Sequence, residues 1–142
     1  MHRFKENVKT SIGIAAPIAT STVAVFHTAG LKAGIGCDMA KYNNFAGCIS
    51  QVAGTQWQGD VTYYIAQSTD NTTFSTAYLA TTTISSSTTT NQVGTIECRA
   101  EQMSDSYRYL RVEALPATGT GNVYSVQNLR FNSRFLQATL PA

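Results

Sequence analysis

Residues 61–80 read VTYYIAQSTDNTTFSTAYLA. In an extended chain Val61, Tyr63, Ile65 and Gln67 point one way and Thr62, Tyr64 and Ala66 the other. β-Branched and aromatic residues suit a half-buried pleated surface, so the first part of the stretch predicts a strand. Ser68-Thr-Asp-Asn-Thr-Thr73 follows, small and polar throughout. Asp and Asn bond nearby backbone and tolerate left-handed geometry, which predicts a tight turn. Phe74 then starts a return toward Tyr78 and Leu79, and the reading places it back on the core.

Working outward, 142 residues predict one domain that buries a core without metals or disulfides. Only 13% of them are charged, against about 25% in ordinary globular chains. A disordered chain would be poor in apolar residues and highly charged. Hydroxyl and amide side chains instead suit a β protein, or one that covers surface against other subunits, where charge is depleted. The net charge of +2 lacks the basic excess of a nucleic-acid binder. No apolar run reaches the roughly 18 residues of a membrane span. Cys37, Cys48 and Cys98 are odd in number, which predicts buried or half-buried thiols in a reducing compartment, with one disulfide plus a free thiol as the alternative. At the N-terminus, Glu6 breaks the basic region and Pro17 the apolar run, so an extended arm is expected there rather than a signal peptide.

Further strands are expected at 23–26, 45–52, 76–84, 94–101, 107–115 and 123–131, with an irregular, glycine-bearing edge at 31–39 and an exposed polar loop at 85–92. Gly47 inside its strand predicts a bulge or a close neighbour. About seven or eight strands with almost no helical period predict an antiparallel β-sandwich, jelly-roll-like, over residues 23–131. An extended N-terminal arm (1–22) and a C-terminal tail (132–142) flank it.

Catalytic signals are weak. The sequence has two histidines, His2 and His27, and no nucleophile elbow, HExxH, CxxC, phosphate loop or EF-hand spacing. Cys37, Asp38 and Cys48 lack the close pairing of zinc sites. Glu97 and Glu101 on one strand face would lie about 13 Å apart at roughly 3.3 Å per residue, beyond the ~5–9.5 Å of glycosidase carboxylate pairs. No enzyme, cofactor or metal is expected. Tyr107-Arg-Tyr-Leu-Arg111 reads as cross-strand packing under arginine stems rather than a stacking platform. Trp57, in a polar connection, reads equally as a ligand-facing aromatic and as a plug over the sandwich end.

Residues 59–74 (GDVTYYIAQSTDNTTF), then 107–112 (YRYLRV), a glycine turn and a final strand, resemble the capsid cement, or decoration, proteins of tailed phages. Phe26-His-Thr-Ala-Gly30 and Asp38-Met-Ala-Lys-Tyr42 fit the opening strands of that pattern, and the resemblance covers residues 23–131. Thr69-Asp70-Asn71 stands where many relatives carry Asp-Asp-Gly. The resemblance implies a non-enzymatic virion protein, assembled in the host cytoplasm, that sits outside an icosahedral shell. There it would form trimers and clamp neighbouring major capsid subunits, with no nucleic acid and no membrane as partner. Candidate anchors to the capsid or to other copies are Phe4, Ile12, Ile14 and Ile18 at the front and Phe131, Phe135, Leu136 and Leu140 at the back. Similar signatures occur in discoidin-like sugar-binding sandwiches. The alternative is therefore a carbohydrate-binding module of a phage head or tail appendage, with Trp57, Tyr63 or Tyr64 facing the ligand.

Overall fold

Among the described residues, nine strands pair in a nested order, first with last and inward from there. The computed structural model describes residues 8–15, 30–52, 59–87, 89–117 and 123–133. Its strands are β1 (Val8–Ile14), β2 (Lys32–Ala33), β3 (Cys37–Asp38), β4 (Tyr42–Val52), β5 (Val61–Ser68), β6 (Ala80–Ile84), β7 (Gln92–Arg99), β8 (Tyr109–Pro116) and β9 (Val123–Ser133). A 3-10 turn, Ala100–Gln102, follows β7. β1 pairs with β9, the two short strands β2 and β3 with β8, β4 with β7, and β5 with β6, all antiparallel. The chain is thus one long ribbon doubled back at residues 69–79. Pairing of β9 with β4 and of β8 with β5 rolls that ribbon into two sheets. Sheet 1 has the order β1-β9-β4-β7 and sheet 2 the order β2-β8-β5-β6, with β3 also on β8. The protein is an antiparallel β-sandwich.

Alternation along the strands builds the core. On β5, Val61, Tyr63 and Ile65 are fully buried, as are Leu110, Val112 and Ala114 on β8. Each fully buried aliphatic or aromatic side chain contributes about 1.5–3 kcal/mol. Phe45, Ile49, Tyr124 and Val126 meet them from sheet 1. Tyr63 and Tyr124 pack edge to face, 5.7 Å between centroids. The buried Gln51 amide donates to the Tyr63 hydroxyl at 2.8 Å, so one phenol deep in the core keeps a partner.

Gly47 faces this core. A Cβ there would sit 2.7 Å from Val112 Cγ2, which makes the residue a close-neighbour glycine in a regular ladder. Gly34 closes one side of the sandwich. Its N–H donates to the Val112 carbonyl at 2.9 Å, and the next residue, Ile35, donates to the Gly13 carbonyl of β1 at 2.8 Å. The link between β2 and β3 therefore staples the edge of sheet 2 to the edge of sheet 1.

Three expectations need correction. The arm expected over 1–22 loses Val8–Ile14 to sheet 1, because β9 offers that stretch an antiparallel partner. The tail expected from 132 gives Asn132 and Ser133 to β9. Phe74 lies on the outer face of sheet 2 instead of returning to the core. The strand expected at 23–26 lies outside the described residues.

Candidate interaction surface

The outward side chains of sheet 1 form rows across β1, β9, β4 and β7. One row is Val8, Phe131, Asn44 and Arg99; the next is Thr10, Leu129, Ala46 and Glu97; a third is Ile12, Gln127, Cys48 and Thr95. Ser125, Ser50 and Val93 continue the surface, and Val123 with Val52 end it. Within these rows the charged residues are Glu97 and Arg99, both on β7. Apolar side chains stand well into solvent: Ile12 is 61% exposed, Val93 79% and Val52 48%. A shallow apolar depression of about 470 Å³ runs between β4, β7 and β9, lined by Cys48, Ser50, Val93, Thr95, Ser125 and Gln127. A four-stranded face with so little charge and exposed β-branched residues can pack against another flat surface without desolvating ions.

One corner of the face is polar. Two adjoining clefts, about 360 and 560 Å³, share Asn44 and Arg99. Phe131, Glu97 and Gln102 line the first, and Asn43, Glu101 and Asn132 the second. The local chain explains the shape. The 3-10 turn after β7 is closed by the Arg99 N–H donating to Gln102 Oε1 at 2.7 Å, and Arg99 Nη1 meets Glu101 Oε1 at 3.2 Å. Across from it, Asn132 has φ 57°, a left-handed backbone that asparagine adopts more readily than most residues.

Part of the opposite face of the sandwich is covered by the chain itself, while Leu115 on the same face stays 37% exposed. Residues 69–79 cross the outside of sheet 2, tied down by Ser75 N–H to the Gln67 carbonyl and Leu79 N–H to the Ile65 carbonyl, each at 2.9 Å. The turn is built as its composition predicts. Asp70 Oδ1 accepts from the N–H groups of Thr72 (2.8 Å) and Thr73 (2.9 Å) and from Ser68 Oγ (2.9 Å), and Asn71 is left-handed at φ 63°. The Thr73 and Thr72 N–H groups, then the Ser68 hydroxyl, hold the Asp70 carboxyl below its ordinary pKa. Tyr78 stacks on Tyr64 at 4.3 Å. Phe74 lies against the Arg111 guanidinium, 3.9 Å from ring centroid to carbon. Arg111 donates from Nε (2.8 Å) and Nη2 (2.5 Å) to the buried Glu113 carboxylate. Burial, then the nearby Glu113, pushes the Tyr78 phenol pKa up.

Groups suited to covalent or metal chemistry do not converge. Among the described residues no set of three His, Cys, Asp or Glu is placed to hold a metal ion. The three thiols are unpaired, with Cys37 and Cys98 buried. Burial pushes Cys98 up to about 11, and burial followed by Glu97 raises Cys48, so neither is a ready thiolate. No helix among the described residues is long and apolar enough to cross a membrane.

The residues singled out by sequence separate. Ile12 and the half-buried Phe131 lie on the outer face of sheet 1, on the adjacent strands β1 and β9 and two rows apart. Ile14 is a core residue: a register shift between Ile12 and Ile14 turns it inward, where it is 6% exposed, so it cannot anchor a partner. Tyr63 is fully buried and Tyr64 is stacked beneath Tyr78, which removes both as ligand-facing aromatics. Phe4, Ile18, Trp57, Phe135, Leu136 and Leu140 lie outside the described residues. Val93, Val52 and Leu129 were not legible as surface residues from their apolar character; the alternation of β7, with Ile96 and Cys98 inward, is the signal that puts Val93 outside. No protein-family model matches the chain, and no curated protein matches it.

Proposed function

We propose that the protein is a non-enzymatic structural component of a virion that packs the outer face of sheet 1 against the outside of an icosahedral capsid and strengthens contacts between major capsid subunits. The observation that carries this reading is the face itself: four strands wide, charged only along β7, and bearing Ile12, Val52 and Val93 in solvent. The nested strand pairing also supports reading the sandwich as a jelly roll, eight strands' worth of ribbon rolled into two sheets, in keeping with the cement-protein resemblance of residues 59–74 and 107–112. Val8 opposes Phe131, so the chain enters β1 and leaves β9 at the same end of sheet 1. A closed trimer of identical copies is the assembly we expect, since it would cover exposed strand edges.

The test is direct. Purified protein is added to tailed-phage capsids stripped of their outer proteins, and co-sedimentation and capsid melting are measured. Saturable binding with a raised capsid melting temperature is expected, lost in the double variant Ile12→Ser/Val93→Ser. A native chain that neither sediments with any capsid tested nor changes its melting would sink the reading.

A further inference from the structure

We infer that the polar corner of sheet 1, where β4 begins and β7 and β9 end, is a binding site for a neutral glycan, separate from the apolar part of the face. The two adjoining clefts, about 360 and 560 Å³, fall within the ~300–1,000 Å³ of small-molecule sites. Their lining selects the ligand class. Asn44 and Asn132 each carry a carbonyl oxygen and an amide NH2 on one planar group, so each can accept from and donate to neighbouring hydroxyls, and Gln102, whose Oε1 accepts from the Arg99 N–H, adds an amide NH2. Neither the Asn44 nor the Asn132 side chain is used in a hydrogen bond to another described residue. Phe131, half-buried beside Asn44, presents an aromatic surface to the first cleft, the kind of platform that covers the apolar C–H face of a pyranose.

Charge narrows the class further. Arg99 is opposed by Glu101 at 3.2 Å and accompanied by Glu97, so the corner has no surplus positive charge for a phosphate or carboxylate. It is too polar for an aliphatic ligand. Hydroxyl-rich neutral ligands fit both constraints. The left-handed backbone of Asn132, φ 57° within a strand, is consistent with a position held for its side chain, since strained backbone concentrates at binding sites.

The experiment uses the whole chain on an array of neutral and acidic glycans, followed by titration of the best neutral oligosaccharide. Two variants probe the corner: Asn44→Ala, and Asn132→Gly, which keeps the left-handed backbone accessible while removing the amide. Each is expected to weaken binding by roughly 5- to 10-fold, the loss of about one to two hydrogen bonds, with an unchanged melting temperature. Ile12→Ser/Val93→Ser, which tests capsid docking, is expected to leave glycan affinity untouched, so failure of one idea is distinguishable from failure of the other. Absence of binding to every neutral glycan, binding to acidic glycans alone, or affinity that the Asn44→Ala/Asn132→Gly double variant leaves intact overturns the assignment.

Discussion

The two outer faces of the sandwich start from similar strands and end differently. On sheet 2, residues 69–79 lie across β5 and β8, and Phe74, Tyr78 and the Arg111–Glu113 pair form a second, thin layer of packing. Ala66 points outward from β5 yet is fully buried. On sheet 1, among the described residues, Ala46 is buried in the same way, but Ile12, Val52 and Val93 are left standing in solvent. A face that a protein needs only for its own stability is worth covering with its own chain. One left open and nearly uncharged is free to be covered by something else.

The sharpest way to test this contrast is to remove the layer on sheet 2. Arg111→Ala strands the buried Glu113 carboxylate and is expected to destabilise the protein by about 3 kcal/mol, at the low end for breaking a buried pair because Arg111 keeps 20% side-chain exposure; urea unfolding reads it. A shift under about 1 kcal/mol would mean that the cluster is solvated and the layer nominal. Phe74→Ala comes next, at about 1–2 kcal/mol, below the ~3–5 of a fully buried Phe because the ring is only half-buried. The same variant should raise amide exchange on β5 and β8 without affecting β9.

Acid should loosen the sheet 2 layer through its turn. The Asp70 carboxyl has a folded pKa below the ordinary 3.8, so the stability it contributes is present above that value and is lost as pH falls through the lower folded value. Melting curves between about pH 5 and 2 are expected to fall less steeply for Asp70→Asn than for the native chain. Equal slopes would show that the Thr72 and Thr73 N–H groups do not depend on the charge. Smallest in stability is the change on the open face. Ile12→Ser and Val93→Ser should each alter unfolding by less than about 0.5 kcal/mol, while the two together are expected to remove the proposed capsid binding. A loss well above that would place these side chains in the protein's own packing and weaken the contrast between the faces.

Residues 61–80 show how far sequence alone reaches. Strict alternation and a run of turn formers determined β5, the Ser68–Asp70–Asn71 turn and the class of fold, because period-2 patterning and Asx geometry act over a few residues and need no distant partner. The same locality explains why β4, β7, β8 and β9 were foreseen close to their observed bounds. Tertiary structure alone decided what each outward residue faces. Phe74 could return to either side of its sheet, and Ile14 turned inward through a register shift one residue long. Asn44, Arg99 and Phe131 became one site for the same reason: strand pairing over more than 30 residues of chain set them in a single row, and no local pattern records which strands will lie side by side.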